Sequence, residues 1–473
     1  MGPAETTFNR HLLPEAPNNP LRFVWVAAAL VLAVSVALLP LLYALAVVGA
    51  FFLVVIGISK PTWAVALVFA AIPLEVVSVS VGSVGLSAIQ IVALFAVVLM
   101  LAEMIAVGRF SIARTPLDVQ IFVWSAVLFF GSIGAYDSIA SLKKAVMTLV
   151  FIGIYYLVVD KVRKMETVEL LMKTLVTACA VVGAYGIWVS YRYLAFGATS
   201  GKSIIVGSEG LAVPRAASTV GDPTLLAALM VIALPISVML VATTKGWERI
   251  VASIASVTVL VALGFTFTRG AWIGAAASFV VLLFERRSRN VIIVVAILIA
   301  LLSPGAVLSR AATSTNFGRA EISHRFDYWQ GALLLAPTRP IFGIGLDNFR
   351  HNFARLPVPE TAQRSAIHAH NVLLVLLSET GLVGFLAYVA FIAGVLVLLL
   401  RRRRVDPIES SRLWRLGIAS SILGSLVHQM SDSFLLEPTV NSVVWVFAGL
   451  AVVMGLGYIH NEAESPNLVE KAT

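Results

Sequence analysis

Charged residues and cysteine are both scarce in this 473-residue sequence. Only 12% of the residues are charged, whereas 59% are hydrophobic, and average soluble domains carry roughly twice that share of charge. A chain of this composition cannot cover an ordinary globular surface with polar groups. The single cysteine, Cys179, lies within an apolar segment and excludes an intramolecular disulfide. We expect it to be a small buried hydrophobic residue, which gives no information about the compartment.

Several sequence signatures of other protein classes are also missing. The chain has no Walker phosphate-binding loop, no Asp-x-Asp motif of nucleotide-sugar and metal sites, and no nucleophile-elbow serine. The alternating strands of about ten residues that build a membrane β-barrel are absent as well. The net charge of +9 does not indicate nucleic-acid binding, because most of it is explained by membrane topology.

The sequence consists instead of a series of apolar segments, many of them about 18 residues or longer. We therefore predict an all-α polytopic membrane protein with about fourteen transmembrane helices. The expected spans are about 22–39, 41–58, 62–79, 86–107, 117–135, 143–160, 168–195, 223–243, 249–267, 269–284, 290–308, 371–400, 413–431 and 438–458. The stretch 371–400 is too long for one crossing. We expect Gly381 and Gly384 to break it after a short re-entrant or interfacial helix.

Lysine and arginine in short loops predict the orientation, because these residues are retained on the cytoplasmic side. Basic clusters near 161–164, 245–249, 285–289 and 401–404 fall on one side if fourteen helices are counted, and Lys143 and Lys144 disagree. The predicted order is a cytoplasmic tail at 1–21, eleven helices within 22–308 with an outer loop near 196–222, a large and partly helical periplasmic loop at 309–370, three helices within 371–458, and a cytoplasmic tail at 459–473.

The predicted periplasmic loop is rich in arginine and histidine. It contains Arg310, Arg319, Arg325, Arg339, Arg350, Arg355 and Arg364, together with His324, His351, His368 and His370. Arginine is a permanently charged, fork-shaped donor for phosphate oxygens, and histidine moves protons near neutral pH. This combination suggests an anionic, phosphorylated ligand and a proton transfer. The alternative is a solvated loop with ordinary surface charge.

Two further arginines lie at the outer ends of apolar helices. Arg269 sits in FTFTRGAWIG, and Arg215 sits in AVPRAASTVGDPTLLA. An arginine at membrane depth costs roughly 2.5–3.5 kcal/mol on insertion scales, so such a residue usually has a partner or a ligand. The alternative for each is a side chain that snorkels to the lipid headgroups.

The pair His368-x-His370 raises the question of zinc. In a helix, residues two apart point about 200° away from each other. No cysteine or nearby carboxylate completes a tetrahedral set, so we expect no metal. A second polar cluster lies near the outer end of the thirteenth predicted helix and contains His428, Gln429, Asp432 and Glu437. His428 and Asp432 would share a helical face, either as a structural pair or as part of the same cavity.

Four segments together carry a family resemblance. They are PRAASTVGDP, TRGAWIG, RFDYWQGALLLAPTRPIFGIGLDNF with its P-x-x-G-x-G turn, and HAHNVLLVLLSETGLVG. The last has a His-Asn pair, nine residues and then Gly-x-x-Gly, formed by His370, Asn371, Gly381 and Gly384. In this order the segments resemble the O-antigen ligase and Wzy-type polymerase family of bacterial surface-polysaccharide enzymes.

The resemblance implies a membrane glycosyltransferase of the GT-C class that needs neither metal nor cofactor. His370 would be the base at the mouth of the cavity, and Arg215 and Arg269 would stabilise the lipid diphosphate in place of a metal ion. Arg325 and Arg364 would be further diphosphate contacts, unless they serve only to fold the loop. The secondary candidates are His368, Asn371 and Asp347.

The implied donor is a glycan linked to undecaprenyl diphosphate in the bacterial inner membrane, with the active site facing the periplasm. Three functions remain open. The chain is a polymerase of O-antigen or exopolysaccharide repeat units, a ligase that uses lipid A-core or another outer acceptor, or a flippase without catalysis. The polymerase is favoured because the predicted helix count exceeds the number associated with ligases. A chain-length regulator would then be a candidate partner, besides the surrounding lipids.

Overall fold

The fold is known here from a computed structural model. It describes residues 61–81, 84–108, 112–196, 204–206, 212–283, 285, 288–290, 292–293, 324–401 and 409–459. The helices predicted at 22–39 and 41–58 and most of the one at 290–308 lie outside the described residues. So do residues 309–323, the first part of the large loop predicted at 309–370.

The described chain is almost entirely helical. In chain order its helices are α1 (Pro61–Ala70), α2 (Ala88–Val107), α3 (Asp118–Ser132), α4 (Ser138–Lys161), α5 (Met165–Phe196), α6 (Pro223–Thr243), α7 (Gly246–Phe265), α8 (Arg269–Leu282), α9 (324–335), α10 (Phe349–Phe353), α11 (Glu360–Ser365), α12 (Val372–Leu400), α13 (Glu409–Gln429) and α14 (Pro438–Leu456). Two antiparallel hairpins connect them, β1 (Ser78–Val81) with β2 (Val84–Ser87) and β3 (Ile204–Val206) with β4 (Ala212–Pro214).

Seven of the described helices are long and apolar enough to cross a membrane, namely α2, α4, α5, α6, α7, α12 and α14. Shorter apolar helices are α1, α3 and α8. Of these seven helices α6 is the most enclosed, because 89% of its most apolar stretch is buried within the protein. In α2 only 17% of that stretch is buried, and the helix exposes an apolar surface suited to lipid. The predicted all-α polytopic membrane protein is confirmed. The number of fourteen spans stays a prediction.

Most predicted spans in the described chain agree with the observed helices to within five residues, but the span predicted at 62–79 is wrong. Helix α1 ends at Ala70, and a short 3-10 turn leads into the β1–β2 hairpin. Pro73 has no N–H to continue the helical hydrogen bonds. The following VVSVSVGSVGLS is rich in β-branched residues, serine and glycine, which favour a strand and a turn. The apolar segment predicted as one helix at 62–79 is therefore a short helix followed by the first strand of a β-hairpin.

Helix α12 is broken at Gly381, as predicted. Gly381 has φ 66° and ψ −174°, a conformation that is readily available only to glycine. Polar groups of the P-x-x-G-x-G turn replace the lost helical bonds: the backbone N–H of Leu382 donates to the carbonyl of Pro340 (2.7 Å), and that of Gly345 donates to the carbonyl of Glu379 (3.0 Å). Two segments of the resemblance thus interlock through their backbones.

Gly384 has a different role from the one predicted, because Gly381 is the non-helical residue inside α12. A Cβ atom at Gly384 would lie 2.5 Å from the Thr380 side chain and 2.8 Å from that of Val127. Gly384 is therefore required for close packing of α12 on α3 and does not break the helix.

Glu379 ties the residues around the start of α10 to this broken helix. It is 2% exposed, and its carboxylate accepts the backbone N–H groups of Asp347 and Phe349, each at 3.0 Å. A buried carboxylate needs such donors, because desolvation would otherwise be expensive. The predicted secondary site residue Asp347 has φ 62° and an exposed side chain. Its backbone therefore holds the turn before α10.

Candidate functional site

The two histidines of the HAHN segment, His368 and His370, lie in a loop between α11 and α12. His370 has φ 48°, in the left-handed region, which is uncommon for residues other than glycine, although histidine, asparagine and aspartate adopt it more often than most. The next residue, Asn371, begins α12, and its side-chain oxygen accepts the N–H groups of Leu373 (3.0 Å) and Leu374 (3.3 Å). Its amide donates to the carbonyl of Met430 (3.2 Å). Asn371 therefore caps the helix, and the imidazole of His370 is not needed for that purpose.

Asp432 brings the two imidazoles together. Its Oδ1 lies 3.1 Å from Nδ1 of His370 and 3.5 Å from Nε2 of His368, and it accepts the N–H of Ser433 at 2.8 Å. The two rings have centroids 4.3 Å apart. Nδ1 of His368 accepts the backbone N–H of His370 at 3.1 Å. We name His368, His370 and Asp432 the histidine–aspartate cluster.

The electrostatics of the cluster assign its protons. Burial lowers the pKa of His368 to about 4, the charges of His370 and Arg325 add to this effect, and Asp432 and Asp222 oppose it. Burial acts to raise the pKa of Asp432, but the hydrogen bond from His370 and the electrostatic interactions with both imidazoles bring it below its ordinary value. Asp432 is therefore an anion that only accepts hydrogen bonds.

A carboxylate at Nδ1 fixes the tautomer of neutral His370. The ring donates Nδ1–H to Asp432, and the lone pair is then on Nε2. In His368 the proton is on the other ring nitrogen. Nδ1 accepts a backbone N–H, so the neutral ring carries its proton on Nε2, which faces Asp432. The cluster thus contains a basic Nε2 in His370 and a protonated Nε2 in His368.

The sequence predicted no zinc site, but neither geometric reason for that prediction holds in the structure. His368 and His370 lie in a loop rather than a helix, and Asp432 supplies a carboxylate, so that three ligand atoms lie within 4.8 Å of one another. The hydrogen bond at Nδ1 of His368 nevertheless places the proton on Nε2, the atom that would have to bind the ion. The absence of a metal stays a prediction, with this bond as its physical basis.

Tyr328 connects α9 to the histidine–aspartate cluster. It is 4% exposed, and its ring centroid lies 5.4 Å from that of His370 and 5.6 Å from that of Phe353. Arg325, one turn earlier in α9, is half-buried, and its charge contributes to the low pKa of His368. Helix α9 therefore covers the histidines and brings one predicted arginine close to them.

Arg215 contacts the turn between α7 and α8, which leads directly into Arg269. The guanidinium of Arg215 donates from Nε to the carbonyl of Thr266 and from an Nη to the hydroxyl of Thr268, both at 2.8 Å. The turn needs support because Phe267 has φ 50°. Arg269 is the first residue of α8. The backbone N–H groups at a helix N-terminus favour anions, so a cation at this position is well placed beside a bound anion.

Close packing of α8 on α13 brings this turn towards the cluster. A Cβ atom at Gly270 would overlap the Ser431 side chain, and one at Gly274 would lie 2.6 Å from the carbonyl of Gly424. Ser431 immediately precedes Asp432. The two glycines therefore allow Arg269 and the histidine–aspartate cluster to occupy the same end of the helix pair.

The remaining predicted residues are placed as follows. Arg364 lies in α11, and its side chain is outside the described part of the structure. His428 and Asp432 do not form the predicted helical pair, because α13 ends at Gln429 and Asp432 follows in a turn. His428 is fully buried against Phe434, with ring centroids 5.1 Å apart. Sequence reasoning placed Asp432 only in a secondary cluster, and the structure makes it the centre of the site.

Acidic groups and a lysine surround the same region. Burial raises the pKa of Glu75 to about 7 and, with contributions from neighbouring carboxylates, also raises that of Glu437. The positive charge of Lys144 acts to lower the pKa of Glu437. Lys144 departs from the positive-inside pattern, and this acidic neighbourhood gives a local electrostatic reason for a lysine at this end of α4.

Comparison with known proteins agrees with the resemblance. The Wzy_C family model, described as O-antigen ligase, matches residues 254–389. This range includes Arg269, Arg325, His368 and His370, whereas Asp432 lies beyond it.

An uncharacterized protein of Haemophilus influenzae (strain ATCC 51907 / DSM 11121 / KW20 / Rd) is 27% identical over 194 residues, which cover 35% of this chain and 47% of that protein. The chain thus spans about half the length of this curated relative. Residues 254–389 thus match the O-antigen ligase family model, within a polytopic all-α membrane protein.

Proposed function

We propose that the protein transfers a glycan from undecaprenyl diphosphate to a sugar hydroxyl at the outer face of the bacterial inner membrane. Members of the Wzy_C family are glycosyltransferase-like ligases and polymerases, which supports this class of reaction. The observation that carries the proposal is the 3.1 Å contact between Asp432 and Nδ1 of His370. It leaves Nε2 of His370 as the basic atom.

In the proposed reaction Nε2 of His370 removes the proton of the acceptor hydroxyl as its oxygen bonds to the anomeric carbon. The bond from that carbon to the diphosphate oxygen breaks, and undecaprenyl diphosphate leaves with the electron pair. A single displacement inverts the anomeric configuration. Asp432 stabilises the imidazolium that forms, because the carboxylate is already hydrogen-bonded to Nδ1.

The arginines supply the electrostatic part of the mechanism. Arg269 at the start of α8 and Arg325 beside His368 would bind the diphosphate and stabilise its charge as the leaving group departs. Arg215 supports the α7–α8 turn through Thr266 and Thr268, and would act on the diphosphate from there. Arg364 is proposed as an additional contact. With these cations in place, the reaction would need neither a metal ion nor another cofactor.

Two acceptor classes are compatible with this site. We favour the polymerase, in which the growing chain is transferred to another lipid-linked unit, because of the predicted number of helices. The ligase is supported by the printed description of the matching family model. The periplasmic orientation, the cytoplasmic termini and a chain-length regulator as partner belong to the same proposal.

Purified protein in liposomes separates these functions. It is supplied with undecaprenyl-diphosphate-linked repeat units, either alone or together with lipid A-core, and the products are resolved by mass. Longer lipid-linked chains identify a polymerase, and glycosylated lipid A-core identifies a ligase. Movement of labelled donor between leaflets without a new glycosidic bond would overturn the enzyme proposal and indicate a flippase.

His370→Asn is the most informative variant in this assay. Asparagine tolerates the left-handed backbone at position 370 but cannot act as a base, so the fold is retained while the chemistry is lost. We expect transfer to fall by about 10²–10⁴-fold with donor binding retained. His351→Asn, at an exposed histidine on α10, is the matched control and should transfer normally. Undiminished transfer by His370→Asn would refute the base.

A further inference from the structure

His368 has no role in the proton transfer described above, yet its imidazole is built into the cluster. Its side chain is 26% exposed, and both of its ring nitrogens face polar atoms. Nδ1 accepts the N–H of His370 at 3.1 Å, and Nε2 lies 3.5 Å from Oδ1 of Asp432. The first contact is within ordinary hydrogen-bond length, whereas the second is long.

The bond at Nδ1 acts on a residue whose backbone is unusual. At φ 48°, His370 adopts a conformation that costs L-residues roughly 1–2 kcal/mol. A side chain that accepts the N–H two residues further on is the arrangement of an Asx-turn, in which aspartate or asparagine normally supplies the acceptor. Here an imidazole nitrogen takes that position.

We propose that His368 is a positioning residue for glycan transfer, which as the neutral Nε2–H tautomer accepts the backbone N–H of His370 and holds that residue in its left-handed conformation. This conformation directs Nδ1 of His370 to Asp432. The inference rests on the proposed function of His370 as base. It assigns His368 no contact with donor or acceptor and no share in moving the proton.

The arrangement explains why two histidines are used in different ways. His370 needs Nδ1 protonated so that Nε2 is basic, and His368 needs Nδ1 unprotonated so that it can accept. Burial keeps His368 neutral at physiological pH, which preserves the acceptor. A protonated His368 would place a donor opposite the N–H of His370 and would remove the bond.

Three substitutions at position 368 separate the two ring nitrogens. The side-chain oxygen of asparagine occupies nearly the position of Nδ1, and the amide nitrogen of glutamine reaches that of Nε2. We expect His368→Asn to keep the acceptor and most of the turnover. His368→Ala and His368→Gln should lower kcat on the order of 10²-fold, as a small misplacement of a catalytic group does, while KM for the lipid-linked donor changes little.

The liposome transfer assay with kcat and KM measured separately tests this, with His370→Asn and His351→Asn run in parallel. Full turnover by His368→Ala, with His370→Asn inactive, would overturn the positioning role alone. A large rise in donor KM in His368→Ala would also overturn it, because His368 would then bind substrate. Active His370→Asn would instead refute the proposed base. Metal analysis of the purified variants adds a last outcome: stoichiometric zinc in the wild type that all three substitutions remove would make His368 a ligand and overturn the proposal.

Discussion

Asp432 and His370 are 62 residues apart in the sequence, and in the structure Oδ1 of one lies 3.1 Å from Nδ1 of the other. The contact joins the turn after α13 to the loop before α12. Asn371 strengthens the same junction, because its amide donates to the carbonyl of Met430 at 3.2 Å. A carboxylate and an imidazole are thereby held in a fixed relation at one end of the helical bundle.

Asp432→Asn tests whether this contact determines the tautomer of His370. An amide that donates to Nδ1 would favour the tautomer with the proton on Nε2 and would remove the charge that stabilises the imidazolium. We expect kcat for glycan transfer to fall by about 10²–10⁴-fold, with KM for the donor little changed. The liposome assay measures both constants. Unchanged kcat in a folded Asp432→Asn protein would show that His370 works without this partner.

Arg269→Ala should leave a folded, membrane-inserted protein with greatly reduced transfer. Arg269→Lys should rescue only part of the activity, because an ammonium group replaces a fork that can bind two oxygens. Initial rates with lipid-linked donor, together with the elution profile in detergent, separate activity from folding. Full activity of Arg269→Ala would reduce this residue to an anchor at the lipid headgroups.

Gly381→Ala should destabilise the protein. A Cβ atom there would lie 2.5 Å from the backbone of Ile341, and φ is 66°, so both steric overlap and backbone strain oppose alanine. The strain alone costs about 1–3 kcal/mol, and thermal unfolding in detergent should show a lower Tm. Gly264→Ala is the matched control, since nothing lies within 4 Å of its Cβ position. Equal Tm values for the two variants would contradict the close backbone packing between α12 and the P-x-x-G-x-G turn.

Stability should decrease on acidification in a way that depends on His368. Its pKa is lowered from 6.5 to about 4, so the unfolded chain binds this proton at a higher pH than the folded protein. The contribution is therefore fully present above about pH 6.5 and is lost as pH falls towards 4, by at most about 1.4 kcal/mol per pH unit. Tm of the wild type should fall more steeply over this range than Tm of His368→Asn. Parallel curves would contradict the lowered pKa.

The predicted orientation is tested by cysteine labelling in intact cells. In a Cys179→Ser background, Arg350→Cys on α10 should react with an impermeant thiol reagent, because the outer loop is expected in the periplasm. Lys164→Cys, in the loop between α4 and α5, should be protected until the cells are opened. Both positions are exposed on the protein. The reverse pattern of labelling would invert the proposed topology.

Local signals were sufficient for much of the fold. Long apolar segments predict helices because the bilayer requires internal backbone hydrogen bonding, and the predicted 223–243 coincides with α6. Gly381 was predicted to break α12, and the structure gives the physical reason, a positive φ that carries a side-chain penalty for every residue except glycine. Local signals failed at 62–79, where Pro73 ends the helical hydrogen bonding and a β-hairpin follows. They also failed at Gly384, which is required for packing against Val127 and does not break the helix.

Glu379 and Asp432 show why two buried carboxylate contacts, one in the fold and one in the site, were missed. Glu379 stands inside the apolar run LLSETGLVG, and a carboxylate there signals a buried partner. Its partners are backbone N–H groups of Asp347 and Phe349, which no side-chain pattern reveals. Asp432 was read as a helical neighbour of His428, because periodicity predicted that α13 would continue beyond Gln429.

The sequence by itself determined the class of protein, most helices of the described chain, and the choice of His370, since these depend on composition, apolar length and a short motif. Only the tertiary structure decided what His370 can do. Its tautomer depends on Asp432 and its backbone on His368, and both contacts arise where a loop meets the turn after α13. Hydrogen bonds act over about 3 Å, so residues distant in sequence become chemical partners only through the packing of helices.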